Sequence, residues 1–414
     1  MKKFLALTLA LVMSLSLVAC GDKKTDDTKT DAPDQTEQPA ENEGAYKVAM
    51  ITDYGDITDQ SFNQTTYEAC KAFAEDNSIE FSYFRPAGDN TADRVAMIEK
   101  AVDEGFNVIV MPGYAFGGAI VEAAPEFPDV KFIALDVAAG DLLETAVAKA
   151  GEAYDYTPEN WDLNKYVDMS NVYCAVYQEE LCGYMAGYAA VKLGYKNLGF
   201  LGGMSVPAVV RYGYGFVQGV DAAAADLGLT DVKLNYIYGG QFFGDADITA
   251  VMDTWYQGGT EVVFACGGGI YTSAVDAAKK VGAKVIGVDV DQAGVIAKYA
   301  GVDGMTVTSA MKGLYPATYD TLTDVIVNGN WDKYVGKIAT LGLVSGTDPE
   351  ANYVQIPMGD GTQWSDSFTQ DDYKAMVKDM FDGKITVSNN TSSDVSAADF
   401  ATVITVDDQG SIKG

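Results

Sequence analysis

The sequence contains no histidine among its 414 residues. This absence excludes Ser-His-Asp and Cys-His nucleophile activation, the HExxH zinc site and the usual proton shuttle near neutral pH. Cationic side chains are also scarce, because 28 Lys and Arg face 59 Asp and Glu for a formal net charge of -31. Such a chain offers no basic surface to a phosphate backbone, so we expect no nucleic-acid partner. An enzyme of this composition would need unusual catalytic groups.

Long hydrophobic runs are lacking after the N-terminus. Phe4 to Ala19 is uncharged and follows the basic Met1-Lys2-Lys3, but its 16 residues fall short of the roughly 20 that span a bilayer. Residues 1–19 are therefore predicted to be a signal peptide. The next segment, 20–45, is rich in Asp, Thr, Lys, Glu, Gln and Pro. We predict a disordered tether, because this composition buries too little apolar surface to offset the entropy of ordering.

Cysteine is rare, and no CxxC pair occurs. After Cys20, four cysteines lie in apolar helix or strand patterns, namely Cys70, Cys174, Cys182 and Cys266. This spacing predicts no metal site, and we expect no cofactor. Export would permit a disulfide, but free buried thiols are the commoner outcome for such positions.

From Tyr46 onward, short β-branched runs alternate with longer segments of 3.6-residue period. This alternation predicts an α/β fold of parallel sheets flanked by helices, in two similar halves. We assign 46–190 plus 305–330 to the first lobe, 191–304 plus 331–388 to the second, and 389–414 to a C-terminal tail without an assigned role. The chain would cross a hinge three times and leave a ligand cleft at the carboxyl ends of the strands.

The segment after the first predicted strand carries an aromatic between polar residues, Asp59-Gln60-Ser61-Phe62-Asn63. Phe62 can lie flat against a planar ligand, while Asp59 supplies an acceptor and Asn63 an amide. Alternatively, Asp59 or Ser61 caps the following helix and Phe62 anchors it.

Charged residues follow strands in both halves. Asp136 would project into the cleft as a hydrogen-bond acceptor, or cap a helix. Asp289 ends a strand in the opposite lobe and can accept hydrogen bonds from two vicinal hydroxyls. Lys312 follows a strand near the hinge and can donate to the ligand or pair with Asp289. The alternative for Asp289 and Lys312 is a purely structural ion pair.

Two further positions are candidates for the cleft wall. Gly267-Gly268-Gly269 lies between a strand and a helix, yet no phosphate-binding motif accompanies it. We expect Gly268 to allow close backbone approach to a neutral ligand, with simple turn geometry as the alternative. Arg211 begins a helix and either reaches the cleft or forms a surface or interlobe salt bridge. Two carboxylates in one cleft argue against a dianionic ligand.

Several motifs occur together in a fixed order. They include Asp59-Gln60-Ser61-Phe62-Asn63, Gly287-Val288-Asp289-Val290-Asp291-Gln292 and Thr308-Ser309-Ala310-Met311-Lys312. With them, the chain from Tyr46 to Ile385 resembles the basic membrane protein family. The resemblance implies a two-lobed, type I periplasmic-binding-protein-like fold and the role of an ABC-transporter substrate-binding lipoprotein, with a permease as partner. Characterised members of the family include purine-nucleoside receptors.

The resemblance also implies roles for individual residues. Leu17-Val18-Ala19-Cys20 is similar to a lipobox, which implies a lipid on Cys20 and anchoring outside the cytoplasmic membrane, although a simple signal peptide remains the alternative. The family holds a base between two aromatic rings, one per lobe, with carboxylates and a lysine around base and ribose. Phe62 matches the first ring. For the second we prefer Phe242 to its neighbour Phe243, and we expect one of the two to pack into the core of the lobe.

The chain departs from the family pattern at 138–168, which resembles an insertion, and at its C-terminal tail. A receptor for another small molecule, such as a sugar or a signalling metabolite, is therefore an alternative. An exported nucleoside hydrolase would need an aspartate cluster for a metal, and Asp53, Asp56 and Asp59 form the one such group in the sequence.

Overall fold

The computed structural model describes residues 45–413. The predicted signal peptide, the predicted lipidation site at Cys20 and nearly all of the predicted tether lie outside the described residues. The first part of the described chain alternates strands and helices. Its elements are β1 (Lys47–Ile51), α1 (Phe62–Asn77), β2 (Glu80–Phe84), α2 (Thr91–Asp103), β3 (Val108–Pro112), α3 (Gly117–Ala123), β4 (Lys131–Leu135), α4 (Ala139–Lys149), α5 (Leu163–Tyr166) and β5 (Val172–Tyr177).

The alternation continues through the second part of the chain. Its elements are α6 (Glu179–Lys192), β6 (Asn197–Gly202), α7 (Pro207–Leu227), β7 (Lys233–Tyr238), α8 (Ala246–Gln257), β8 (Val262–Cys266), α9 (Tyr271–Val281), β9 (Lys284–Asp289), α10 (Ala293–Ala300), β10 (Thr306–Lys312), α11 (Leu314–Leu322), β11 (Lys337–Leu341), β12 (Val354–Gln355), α12 (Gln370–Phe381) and β13 (Thr405–Ser411). None of the helices in 45–413 combines the length and apolar character needed to cross a membrane.

The strands form two sheets, one per lobe. The first sheet has six parallel strands in the order β11-β5-β4-β3-β1-β2, and the second has seven in the order β12-β10-β9-β8-β6-β7-β13. Only the β10–β12 pair within them is antiparallel. Central strands such as β3 and β8 are buried along their whole length, because helices cover both faces of a parallel sheet. The expected α/β fold is confirmed.

The chain crosses between the sheets three times, after β5, after β10 and after β11. Backbone hydrogen bonds join the crossings, since Gln178 N donates to Leu341 O (3.0 Å), Gly313 N to Tyr353 O (2.7 Å) and Tyr353 N to Gly342 O (3.0 Å). The two-lobed fold with a three-crossover hinge is therefore confirmed.

The predicted division of the late chain between the lobes is wrong at two strands. The prediction places β10 in the first lobe and β11 in the second, but β10 pairs with β9 and β11 pairs with β5. Helix α6, predicted to end the first lobe, packs against α7 of the second. An apolar pattern identifies a strand but not its sheet. The buried β10 suits an interior position and the half-exposed β11 an edge.

Two other segments have a structure that the sequence pattern did not reveal. Within 138–168, α4 packs against α3. The predicted tail contains β13, which extends the second sheet along β7. The four cysteines after Cys20 are buried and free, as expected.

Helices α6 and α7 approach each other backbone to backbone through glycines. A Cβ added at Gly183 or Gly187 on α6 would lie 2.3 Å from a carbonyl oxygen of α7, and one at Gly215 or Gly219 on α7 would lie 2.1 Å from a carbonyl oxygen of α6. Larger residues are therefore excluded where the hinge helix α6 meets the second lobe.

We expect Gly219→Ala to lower the free energy of unfolding by about 1–3 kcal/mol, because the new methyl group must displace the backbone of α6. Gly294→Ala is the matched control, since a Cβ at this helical position would meet no described atom within 4 Å apart from its chain neighbours and the nearby backbone of its own helix. It should raise stability by about 0.5–1 kcal/mol. Chemical denaturation of both variants measures the two changes, and a neutral Gly219→Ala would contradict the close approach.

Candidate functional site

The carboxyl ends of strands from both sheets face one cavity of about 480 Å³. Its wall contains all nine residues predicted to bind ligand: Asp59, Phe62, Asn63, Asp136, Arg211, Phe242, Gly268, Asp289 and Lys312. They come from both lobes and from the hinge, so a molecule in the cavity can contact both lobes at once.

Lys312, the last residue of β10, brings three carboxylates together. Its buried ammonium forms an ion pair with Asp136 and lies 3.6 Å from Glu179 Oε1 and 3.7 Å from Asp289 Oδ1. Burial lowers the pKa of Lys312, but the carboxylates of Asp136, Asp289 and Glu179 outweigh it and hold the pKa above its usual value. The lysine therefore stays charged between the two lobes.

The two strand-end aspartates share an unusual backbone conformation. Asp136 follows β4 with φ 59°, and Asp289 ends β9 with φ 65°. Residues other than glycine rarely adopt positive φ, and such strain concentrates at functional sites. Asp289 also accepts hydrogen bonds from Ser61 Oγ (2.5 Å) of the first lobe and Tyr212 OH (3.2 Å) of the second. Its carboxylate therefore joins the lobes.

Arg211 forms a salt bridge on the second-lobe side of the cavity. Its Nε donates to Glu179 Oε2 at 2.7 Å, and the Glu179 side chain is fully buried. Because α6 and α7 pack together, this bridge lies within one lobe and is neither at the surface nor between lobes. Arg211 also lines the cavity, so it neutralises Glu179 beside the space for a ligand.

Asp59 caps α1. Its carboxylate accepts hydrogen bonds from the backbone N–H groups of Ser61 (2.9 Å), Asn63 (2.9 Å) and Gln64 (3.1 Å). Burial raises the pKa of Asp59, and these backbone bonds oppose the rise. The alternative that Asp59 caps the following helix therefore agrees with its hydrogen bonds. Asp59 nevertheless also lines the cavity.

Unpaired acceptors occur among the cavity residues. Asn63 Nδ2 donates to Asp53 Oδ1 (3.2 Å) and to Asp59 Oδ2 (3.2 Å). Its carbonyl Oδ1 is buried without a hydrogen-bond partner among the described residues, as is Asp136 Oδ1. A buried acceptor without a donor costs free energy. Both atoms therefore favour a ligand that carries N–H or O–H donors.

Asp53 is a cavity residue that the prediction did not include among the ligand-binding residues. It follows β1, and its Oδ1 accepts from Tyr54 N (2.6 Å) and Gly55 N (2.7 Å) as well as from Asn63. Burial raises its pKa, and these hydrogen bonds oppose the rise. Its place at the carboxyl end of a strand, two residues after β1, is a signal similar to the one that identified Asp136 and could have found it.

Six aromatic residues line the cavity: Tyr54, Phe62, Tyr114, Tyr212, Phe242 and Phe243. Phe62 lies beneath the Lys312 ammonium, with 4.6 Å between Nζ and the ring centroid. Phe242 of the second lobe stacks across the cleft with Tyr54, at 6.4 Å between centroids and 28° between planes. Tyr54 is a ring that the prediction missed. Of the paired phenylalanines, Phe243 is 60% exposed, whereas Phe242 packs against the hydrophobic core. Both residues line the cavity, so the expected division of one ring for the cleft and one for the core does not hold, because Phe242 serves both.

Two glycines lie against the Phe242 ring and leave room for it. A Cβ at Gly203 or Gly267 would lie 2.3 Å or 2.6 Å from a ring carbon of Phe242. Gly269 N donates to Phe242 O at 2.8 Å, and Gly268 has φ 47°. The glycine loop therefore approaches Phe242 closely. Gly268 itself lines the cavity.

The three aspartates that the sequence suggests as a metal-binding group form other interactions. They are Asp53, Asp56 and Asp59. Backbone N–H groups hold Asp53 and Asp59, while Asp56 accepts from Thr58 Oγ1 (2.7 Å) and pairs with Arg85 (2.8 Å). Across residues 45–413, no cluster of Cys, Asp and Glu is suited to hold a metal ion.

The architecture of two α/β lobes around a ligand-sized cleft is the type I periplasmic-binding-protein-like fold. A crystal structure of an ABC transporter solute-binding protein from Aeropyrum pernix has the same fold, with a TM-score of 0.62 at 18% identity, and the match covers 84% of this chain and 95% of that one. The family pattern described as ABC transporter substrate-binding protein PnrA-like matches residues 46–348. The chain therefore belongs to this family, the Bmp family, which consists of substrate-binding proteins of ABC transporters and not of enzymes.

Relatives cover most of the chain. The ABC transporter nucleoside-binding protein BmpA of Lactococcus lactis subsp. cremoris is 25% identical over 401 residues, which cover 94% of this chain and 99% of that protein. An uncharacterized lipoprotein of Pyrococcus abyssi is 26% identical over 353 residues, covering 82% of this chain and 74% of that protein. The resemblance inferred from the motifs is thus confirmed.

Asp141 provides a test of the electrostatics of the cavity wall. It lies on α4, and burial raises its pKa to about 7, a rise that a hydrogen bond from Ala138 N (2.7 Å) opposes. A raised pKa means that the folded state binds the proton more tightly than the unfolded state. The resulting stability is present below the unfolded pKa near 4 and is lost as pH rises to about 7.

We therefore expect Asp141→Asn to flatten the fall in unfolding free energy between pH 5 and pH 8, by on the order of 1–3 kcal/mol. Urea denaturation at the two pH values measures the difference. Asp231→Asn is the control, because Asp231 forms an exposed salt bridge with Lys196 (3.0 Å) outside the cavity wall. If both variants keep the slope of the original protein, the assignment to Asp141 is wrong.

Proposed function

We propose that the protein is a lipid-anchored, extracytoplasmic receptor that binds a nucleoside, with a purine base, between its lobes and delivers it to an ABC permease. The main support for this proposal is the set of buried hydrogen-bond acceptors around Lys312. A neutral ligand rich in donors satisfies them, whereas an anion meets six aspartates against three cations in the cavity wall. The nucleoside-binding name of the Lactococcus relative supports the same ligand class.

The base is proposed to lie against the aromatic rings. Phe62 and Phe242 supply one ring from each lobe, and Tyr54 extends the aromatic wall on the first-lobe side. The Oδ1 atoms of Asn63 and Asp136, which have no hydrogen-bond partner among the described residues, are proposed to accept from ring N–H or exocyclic amine donors. Purines carry such donors at the edge of a planar ring, so one orientation can satisfy stacking and hydrogen bonding together.

The ribose is proposed to bind between Asp289 and Lys312, whose Nζ and Oδ1 atoms are 3.7 Å apart. This separation is longer than a hydrogen bond, so a hydroxyl can bridge the two groups. Asp289 accepts from vicinal hydroxyls, and Lys312 donates to a sugar oxygen. Gly268 then offers backbone close to the ligand, while Arg211 and Asp59 hold Glu179 and α1 in place at its edges.

The stacking role is tested by truncating the rings. Base–aromatic stacking contributes roughly 1–3 kcal/mol per base. We therefore expect Phe62→Ala and Phe242→Ala to weaken nucleoside binding by about tenfold or more in calorimetric titration. Phe243 also lines the cavity but is 60% exposed, so Phe243→Ala should weaken binding less than Phe242→Ala. A larger loss in Phe243→Ala than in Phe242→Ala would show that the wrong ring was chosen.

The ribose role is tested by comparing a nucleoside with its free base. If Asp289 binds the hydroxyls, the nucleoside binds more tightly, because the free base leaves the carboxylate short of a donor at a cost of about 1–3 kcal/mol. Asp289→Ala should then weaken nucleoside binding strongly and base binding little, and Lys312→Ala should act in the same direction. If Asp289 is only structural, the variant loses stability while the ratio of the two affinities stays unchanged.

A thermal-shift screen tests the ligand class as a whole. We expect purine nucleosides to raise the melting temperature, because a ligand that binds only the folded state stabilises it by mass action. The screen includes pyrimidine nucleosides and simple sugars. A response to sugars without any response to nucleosides would identify a receptor for a different small molecule.

The proposed anchor rests on Cys20 and on the lipoprotein name of the Pyrococcus relative. A diacylglyceryl cysteine at this position would hold the receptor at the outer face of the cytoplasmic membrane, with the following polar segment as tether. We expect metabolic labelling with a radioactive fatty acid to mark the protein and Cys20→Ala to abolish the label. Labelling that persists in the variant would place the lipid elsewhere.

A further inference from the structure

A buried carboxylate on α7 attaches the C-terminal segment to the second lobe. Asp221 on α7 accepts hydrogen bonds from Thr402 N (2.8 Å), Val403 N (2.7 Å) and Ile404 N (3.2 Å). Burial raises the pKa of Asp221, but the hydrogen bond from the Thr402 hydroxyl and these backbone bonds outweigh it and hold the pKa below its usual value. The chain that follows therefore leaves α7 in a fixed direction.

From this attachment, the segment runs beside β7 toward the cavity. β13 pairs with β7 in parallel, from Thr405 beside Lys233 to Ser411 beside Tyr238. Ile412 N then donates to Tyr238 O at 2.8 Å. β13 is exposed at six of its seven positions, so it adds little to the core. Its pairing continues to the end of β7, where the loop 239–245 begins.

Lys413 contacts this loop directly. Its ammonium forms an ion pair with Asp245 and donates to Gln241 Oε1 at 2.9 Å. Its backbone oxygen lies 2.6 Å from the position that a Cβ on Gly240 would occupy, and Gly240 has φ 79°. Only glycine combines this conformation with such an approach.

The same loop carries the rings of the cavity. Gln241 Nε2 donates to Phe243 O (2.9 Å) and to Asp245 Oδ2 (3.0 Å). Lys413, Gln241 and Asp245 therefore form a closed polar network at the two ends of the Phe242–Phe243 segment. Asp245 also caps α8 by accepting from Ile248 N at 3.0 Å, so the network is tied to a helix as well as to β13.

We propose that the segment 402–413 is a positioning element of the ligand site and that Lys413 is its positioning residue. Lys413 fixes the loop 239–245 so that the Phe242 ring is held against Gly203 and Gly267 before a ligand binds. This inference rests on the proposed role of Phe242 in binding. Pre-organisation of a binding ring raises affinity because its ordering cost is met during folding.

The test combines affinity with local exchange. Lys413→Ala should weaken binding of a purine nucleoside by about threefold to tenfold, the effect of ordering one or two side chains. Lys413→Arg should restore most of the lost affinity for the nucleoside, because arginine keeps the charge. The effect should also vanish in the Phe242→Ala background, since Lys413 acts through that ring. Lys280→Ala is the matched control, because Lys280 pairs with Asp253 (2.7 Å) outside the cavity wall.

Hydrogen exchange on the unliganded protein gives a readout that does not depend on the ligand. We expect Lys413→Ala to speed amide exchange in 239–245 while β6 and β8 stay unchanged. Unaltered exchange in the loop, or an equal loss of protection throughout the second lobe, would overturn the inference. If the unmodified protein binds no nucleoside, the proposed function fails, and the exchange measurement still decides whether Lys413 positions the loop.

Discussion

The cavity depends on one buried cation. Lys312 faces Asp136, Glu179 and Asp289, and its removal would leave like charges unpaired in a low-dielectric space, which costs about 3–5 kcal/mol in comparable buried pairs. Arg211 offsets part of the negative charge of these carboxylates by pairing with Glu179. Asp136 and Asp289 belong to opposite lobes. The positive charge of Lys312 between them offsets the repulsion of the two carboxylates and so allows the lobes to lie close together. The remaining acceptors are left for a ligand.

The hinge explains why this lysine can act between lobes. β10 belongs to the second sheet, yet its last residue meets a carboxylate of the first lobe just where the chain crosses over. Three hydrogen-bonded crossings limit how the lobes move, and the glycine contacts of α6 and α7 fix one side of the hinge. Opening the cleft would separate Ser61 from Asp289 and Tyr54 from Phe242. A ligand that bridges both lobes therefore favours the closed form.

Much of the fold and of the cavity wall could be predicted from the sequence, because both follow local rules. Strand and helix periods gave the α/β alternation, and strand-end positions gave Asp136 and Asp289. The sheet to which β10 and β11 belong could not be predicted, since an apolar pattern carries no information about partners. The ion pair between Lys312 and Asp136 joins residues distant in sequence, and the stacking of Tyr54 on Phe242 exists only across the folded cleft. The role of Lys413 depends likewise on β13, whose polar composition does not predict a strand.

The most direct measurement is a calorimetric titration of the protein with a purine nucleoside and with its 5′-monophosphate at one ionic strength. A cavity of buried carboxylates around a single neutralised lysine should bind the neutral nucleoside. It should bind the monophosphate at least about a hundredfold more weakly, because like charges in contact cost several kcal/mol. Equal or tighter binding of the monophosphate, or no binding of the nucleoside, would contradict a site built for a neutral, donor-rich ligand.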